Sequence, residues 1–232
     1  MQIEAGKPLL PMRIRDLGAF WHAGLGVRGN VASWTDQSRN QHVVSEGTNQ
    51  PIRTTHQGRP VIRFDGVNDF LKGTLTFPST NVHTTVLAYR MADSARANIT
   101  VEWGGDGFSH VPNGAHMQNT AGNRWYRAVD TWPTRRELSP AGFDTSPHVM
   151  SAVNSVAQLT GYLDGASVGT DAVPTIPAGA ATQLSFAGNM DAGQLSEVDI
   201  YGCAIYTRDL TARELIEIER YMGHLAGLKL HA

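Results

Sequence analysis

Short runs of β-branched and aromatic residues, separated by turn signals such as Asp65-Gly66 and Asp164-Gly165, recur along most of the chain. No alternation of strands with helical segments appears between them, which argues against a parallel α/β sheet. The pattern therefore predicts an all-β antiparallel sandwich. The predicted strands are Pro60–Phe64, Val82–Tyr89, Ile99–Trp103, Arg124–Val129, His148–Val153, Gln158–Leu163, Leu184–Ala187 and Leu195–Tyr206, the last with a bulge at Gly202.

One helix is predicted near the C-terminus. Thr211 is a good N-cap residue and Glu214 follows three positions later, which makes a capping box. Gly227 is a plausible end of the helix. Its apolar stripe, which we expect to lie on the sandwich, consists of Leu215, Ile218, Tyr221, Met222 and Leu225.

Composition excludes several classes of protein. Hydrophobic residues make up 41% of the 232 residues, enough to form a core rather than a disordered chain. With 19 basic and 21 acidic residues the net charge is -2, so no strong positive field exists for a nucleic-acid partner. The single cysteine, Cys203, excludes internal disulfides and cysteine-based zinc sites. We expect no transmembrane segment and no signal peptide, because no long apolar run is present.

Three blocks of sequence carry a family resemblance. The first, Val31–Leu71, contains Trp34 with the Asp36-Gln37-Ser38 turn, then Arg63-Phe64-Asp65-Gly66 and Asp69-Phe70. The second is a hairpin ending in Tyr162, Asp164 and Gly165, and the third contains Glu197, Leu210, Thr211 and Glu214. Together they resemble the laminin-G-like, concanavalin A-like lectin and glucanase jelly-roll domains found in bacterial and phage structural proteins. The resemblance implies a single β-sandwich domain over residues 19–232, with a short C-terminal α-helix and an N-terminal arm over residues 1–18.

The aspartates of these motifs are predicted to be structural. Asp36, Asp65, Asp69 and Asp164 lie at turns, where a carboxylate accepts hydrogen bonds from nearby backbone N–H groups. Arg63 is predicted either to face solvent or to pair with a carboxylate such as Asp69.

One turn departs from the family pattern. Glycines are usual in the family's turn after the Asp-Gln-Ser motif, and this chain has Arg39 and Gln41 there. Asn40, between them, is therefore expected to adopt the left-handed conformation.

No catalytic site, metal or cofactor is predicted. Glu197 and Asp199 have the alternate spacing of glucanase acids, but Tyr201 occupies the third acidic position, so a structural role is favoured over glycoside hydrolysis. The nine histidines are scattered without a recognisable metal-ligand spacing. Cys203 lies in an apolar strand and is predicted to be an inert buried thiol.

A glycan-binding surface is predicted in the central part of the chain, because exposed aromatic rings stack on sugars and polar neighbours bind their hydroxyls. Trp125 and Tyr126 point to opposite faces of a strand, so the alternative for either ring is core packing. The candidate residues are Asn123, Arg124, Trp125, Tyr126 and Trp132.

These observations favour a non-enzymatic accessory protein of a phage virion, either a head decoration protein or a tail or fibre component. Its expected partners are other virion proteins and further copies of itself, with host-surface glycans in addition; nucleic acid and membranes are not expected partners. It would be made in the host cytoplasm and reside in the virion. The predicted docking residues, which could instead cover the sandwich, are Ile3, Leu9, Leu10, Met12 and Ile14. The alternatives are a free carbohydrate-binding or adhesion module and a glycoside hydrolase on the same fold.

Overall fold

The fold is that of a computed structural model, which describes residues 11–76, 82–91, 99–104, 115–119, 123–128, 135–138, 144–172, 183–188 and 195–231. Within these ranges the predicted class is confirmed: two antiparallel β-sheets with one C-terminal α-helix. No helix in the described ranges is long and apolar enough to cross a membrane.

A 3-10 turn over Pro11–Arg13 precedes sixteen strands in the described ranges. They are β1 (Leu17–His22), β2 (Ser33–Thr35), β3 (Val43–Ser45), β4 (Ile52–His56), β5 (Arg59–Asp65), β6 (Leu71–Thr74), β7 (His83–Met91), β8 (Ile99–Gly104), β9 (Ala115–Asn119), β10 (Asn123–Ala128), β11 (Arg135–Leu138), β12 (Pro147–Asn154), β13 (Gln158–Leu163), β14 (Ala166–Ala172), β15 (Gln183–Phe186) and β16 (Glu197–Tyr206). Helix α1 spans Ala212–Ala226.

The first sheet has the strand order β14-β13-β12-β7-β16-β5-β4, and the second has β11-β10-β9-β8-β15-β6-β3-β2. Strand β16 organises the first sheet. It pairs with β7 along its length, with β5 through residues 197–200, and with β1 through residues 202–206. The register with β7 shifts between Ile200 and Gly202, where the bulge is predicted.

Aromatic residues fill the space between the two sheets. Trp21, Trp34 and Phe186 are fully buried, and the Trp21 ring meets the Phe186 ring edge-on with centroids 5.4 Å apart. The Trp21 indole N–H donates to the Trp34 carbonyl oxygen at 3.1 Å, which satisfies a polar group in the core. This pair joins β1 of the first sheet to β2 of the second.

Helix α1 packs on the other face of the first sheet, against β5, β7, β12 and β16. Thr211 and Glu214 form the predicted capping box, and Gly227 ends the helix in the left-handed conformation at φ 85°. The predicted stripe makes the contact: Leu215, Ile218 and Met222 are buried, and Tyr221 and Leu225 are half-buried. A second apolar layer therefore covers the sheet.

The predicted turn aspartates accept backbone hydrogen bonds. Asp65 Oδ1 accepts from the N–H groups of residues 67, 68 and 69 at 2.8–3.2 Å. Burial acts to raise the Asp65 pKa, but these N–H donors outweigh it and the pKa is lowered. Asp69 Oδ2 accepts from the Asp65 N–H at 3.2 Å, and Asp164 Oδ1 accepts from the Val149 N–H at 2.8 Å.

One expectation is wrong, and a second holds with a different partner. In the loop after the Asp-Gln-Ser turn, Gln41 and not Asn40 has the left-handed backbone, at φ 51°. Asn40 instead uses its side chain, whose Nδ2 donates to the Gly18 carbonyl oxygen at 2.7 Å. Arg63 pairs with a carboxylate, which is one of the two predicted alternatives, but its partner is Asp199 and not Asp69.

Candidate ligand-binding pocket

A buried carboxylate organises the loop over residues 36–42. Asp36 is 2% exposed and accepts from the N–H groups of Ser38 and His42, each at 2.5 Å. It also accepts from His42 Nδ1 at 2.8 Å. His42 Nε2 accepts from the Thr76 N–H at 3.0 Å, so the proton of the neutral ring is on Nδ1. The side chain of Asp36, itself a residue of this loop, therefore stabilises the loop conformation.

Further hydrogen bonds tie this loop to β1. The Gln37 N–H donates to the Phe20 carbonyl oxygen at 2.6 Å. Ser38 Oγ and Asn40 Nδ2 both donate to the Gly18 carbonyl oxygen, at 3.3 and 2.7 Å. The short polar side chains of the loop are thus used to fix its position on the first sheet.

The segment before β1 packs against the same sheet. Ile14 is 5% exposed and belongs to the apolar layer beneath α1. The Tyr206 hydroxyl donates to the Pro11 carbonyl oxygen at 3.3 Å, and the Thr207 N–H donates to the Asp16 carbonyl oxygen at 2.9 Å. Asp16 takes the left-handed conformation at φ 59°, which turns the chain into β1.

A pocket of about 730 Å³ lies between this segment and the 36–42 loop. Such a volume is in the range of small-molecule binding sites, roughly 300–1,000 Å³. The pocket is lined by Met12, Arg13, Ile14, Arg15, Asp16, Leu17, Gln37, Ser38, Arg39 and Asn40.

The positively charged side chains that line the pocket are not neutralised by acidic side chains of the lining. The carboxylate of Asp16 lies 3.2 Å from Arg208 Nε, and Arg208 also donates to both oxygens of Glu214 at 2.6 and 3.0 Å. Hydrogen bonds from Arg208 lower the pKa of Glu214 to about 2. The three arginines of the lining are exposed and make no hydrogen bond or ion pair with any described residue: Arg13, Arg15 and Arg39. The pocket is therefore electropositive, and it offers guanidinium donors to an anion.

The acid pair considered for glycoside hydrolysis is in a different environment. Asp199 is fully buried on the helix-facing side of β16. Its carboxylate accepts from Arg63 Nε and Nη2 at 2.7 and 2.9 Å and from Arg90 Nη1 at 3.1 Å. Tyr201, in the third position, has its hydroxyl 2.7 Å from His56 Nδ1. A fully buried carboxylate whose two oxygens are both held by guanidinium groups is not accessible to a substrate as a nucleophile.

A second polar cluster surrounds His148 on β12. Its Nδ1 lies 2.7 Å from Asp164 Oδ2 and its Nε2 lies 3.0 Å from Asp144 Oδ1. Burial acts to lower the His148 pKa, but the two carboxylates outweigh it and the pKa is raised. No group of three or more histidine, cysteine or acidic residues suited to a metal ion is found among the described residues.

A third cluster joins α1 to the end of the chain. Glu219 is 1% exposed; its carboxylate accepts from Ser151 Oγ at 2.7 Å and lies 2.6 Å from His231 Nε2. Burial raises the pKa of Glu219. Cys203 is buried, and burial also raises the pKa of its thiol, so it is not a poised nucleophile.

The glycan-binding residues predicted from sequence are placed only in part. Asn123, Arg124, Trp125 and Tyr126 lie on β10, between β9 and β11 at one end of the second sheet. Trp132 lies outside the described residues. A glycan surface there stays a prediction.

Of the predicted docking residues, Met12 is 54% exposed and lines the pocket. Ile14 is buried against its own chain, which fits the alternative that these residues cover the sandwich. Strand β1 begins at Leu17, inside the predicted arm. Ile3, Leu9 and Leu10 lie outside the described residues. The sequence analysis missed the pocket, although it did single out Arg39 as a departure from the family pattern.

Comparison of the sequence with known protein families and with curated proteins gives no match. Solved structures do match the fold. The binding domain of Paraclostridial Mosquitocidal Protein 1 superposes with a TM-score of 0.67 at 12% identity, over 92% of this chain and 55% of that one. The botulinum neurotoxin serotype D ligand-binding domain, solved with N-acetylneuraminic acid, gives 0.64 at 10% identity, over 89% and 51%. The neurotoxin DC binding domain, solved with rat synaptotagmin II, gives 0.64 at 9%, over 89% and 52%. The chain thus spans about half the length of these domains and shares their β-sandwich fold.

Proposed function

We propose that this protein is a non-enzymatic binding module that recognises a ligand on a biological surface. The observation that carries the proposal is the preformed pocket with three arginines unpaired among the described residues, at one side of a rigid sandwich. Structurally similar domains support it, since they include one solved with N-acetylneuraminic acid and one solved with rat synaptotagmin II.

The buried reactive groups of the described residues support binding rather than catalysis. Asp199 is held by two arginines, Glu219 by Ser151 and His231, and Cys203 is enclosed in the core. Each of these groups is engaged by its own fold and does not face the pocket lining. Catalysis would need an acid or nucleophile that reaches the substrate.

The setting we propose is a phage virion, where the protein would serve as a head decoration, tail or fibre component. The support is the resemblance of three sequence blocks to domains of phage structural proteins. In this setting it would bind other virion proteins, assemble with further copies of itself, and contact host glycans. A free carbohydrate-binding module is the second candidate, favoured by the similar domain solved with a sugar.

The experiment is a glycan array probed with the labelled protein, followed by mass spectrometry of each bound glycan after prolonged incubation. A binding module retains glycans and leaves their masses unchanged. Cleavage of any glycan would refute the non-enzymatic proposal. Antibody labelling of particles released from lysed cells of the native source separates the two settings, because only a virion component decorates the particles.

A further inference from the structure

We propose that the pocket between residues 12–17 and 37–40 binds a sugar acid, with the ligand carboxylate held by Arg13, Arg15 and Arg39. This inference rests on the proposed function and names the class of ligand. Guanidinium groups form paired, charge-assisted hydrogen bonds with carboxylates, which add geometric specificity to the charge attraction.

Four arginines outside the pocket lining are engaged by groups of the fold itself. Arg53 donates to the Ala23 carbonyl oxygen at 3.0 Å, and Arg63 and Arg90 share the Asp199 carboxylate. Arg208, at the rim of the same region, is neutralised by Asp16 and Glu214. The three pocket arginines have no such partner among the described residues. Like charges gathered around one concavity repel each other, and a bound carboxylate relieves that repulsion.

The shape and the remaining lining favour a sugar over a polyanion. The pocket of about 730 Å³ accommodates a small ligand rather than an extended backbone. Met12 and Leu17 offer apolar surface to the carbon face of a ring. The amide nitrogens of Gln37 and Asn40 donate to the Thr35 and Gly18 carbonyl oxygens, and their amide oxygens can accept from sugar hydroxyls. A net charge of -2 opposes a nucleic acid, whose binding depends on many cationic contacts.

The pocket is also held in place before any ligand arrives. Asp36 fixes the loop that carries Arg39, and the Gly18 carbonyl oxygen anchors that loop through Ser38 and Asn40. The opposite wall is fixed by Ile14 in the apolar layer. Because the backbone of both walls is already ordered, binding does not add the cost of ordering a loop to the loss of ligand freedom, the desolvation and the ordering of the arginine side chains.

The test is isothermal titration of the full chain with N-acetylneuraminic acid and with glucuronic acid, which represent two sources of a sugar carboxylate. The methyl esters of both sugars and inorganic phosphate are the matched probes. We expect at least one acid to bind, its ester to bind far more weakly, and the affinity to fall as salt is added. Arg15→Gln and Arg39→Gln should each weaken binding about ten- to a hundredfold, by loss of a charge-assisted hydrogen bond.

Arg28→Gln is the matched control, because Arg28 is exposed and does not line the pocket, so it should bind as the parent does. Unchanged affinity in both pocket variants would overturn the assignment of the site. Equal binding of phosphate and the sugar acid would overturn the sugar specificity. If neither sugar acid binds in the titration but neutral glycans bind on the array, the sugar-acid inference is wrong and the proposed binding function stands. If no glycan binds on the array either, both the inference and the proposed function are wrong.

Discussion

Replacing Asp36 with asparagine tests whether one buried carboxylate holds the pocket loop. Asp36 accepts three N–H groups, two of them through Oδ2. An asparagine offers one oxygen, so its amide nitrogen must face at least one of these donors. The best arrangement keeps the His42 bonds without their charge and leaves the Ser38 N–H buried and unsatisfied. One lost charge-assisted bond and one unsatisfied donor together give an expected loss of about 2–4 kcal/mol of unfolding free energy.

The assay is urea unfolding followed by fluorescence, with hydrogen exchange at the Ser38 and His42 amides to localise the effect. Asp209→Asn is the control, since it removes the same charge from an exposed aspartate and should change the free energy of unfolding by less than about 0.5 kcal/mol. An Asp36→Asn protein as stable as this control, with unchanged exchange at both amides, would refute the argument. The variant should also bind sugar acids more weakly than the parent.

Three further results are expected. Thr211→Ala removes the capping box of α1 and should lower the unfolding free energy in urea by about 1 kcal/mol; an unchanged midpoint would contradict this. Because the pKa of His148 is raised in the folded protein, the protonated ring contributes stability that is fully present below about pH 6.5 and is lost as the pH rises through the folded-state pKa. His148→Gln should therefore flatten the dependence of the melting temperature on pH in that range. A thiol reagent should modify buried Cys203 only as fast as the protein unfolds, and rapid labelling of the native state would disprove its burial.

Elements with local signals were predicted well from the sequence. The run Gln158–Leu163 coincides with β13, and the helix begins and ends where its capping box and Gly227 indicate. Alternation of residue types and backbone capping depend on neighbours in the chain, so a single sequence carries them.

Contacts between distant residues were not predictable in the same way. Arg63 and Asp199 are 136 positions apart, and nothing near either residue specifies the other as its partner. Gln41 has the left-handed backbone, and the Asn40 side chain instead donates to the Gly18 carbonyl oxygen, a partner that comes within reach only once β1 is in place. The pocket was missed for the same reason: its two walls are 20 or more residues apart, and each reads as an ordinary loop.

Residues 11–16 are hydrogen-bonded to the C-terminal end of β16, and this contact limits when the N-terminal part of the domain can fold during synthesis. Asp16 accepts a hydrogen bond from Thr207 Oγ1 across 191 positions, and Pro11 accepts one from Tyr206 across 195. Closing so large a loop is slow, and chains dominated by such non-local pairings fold late. During translation, the segment that carries Arg13 and Arg15 can pack in its final position only after residues 206–208 have left the ribosome. The pocket is therefore completed only after strand β16 and the residues that follow it have been synthesised.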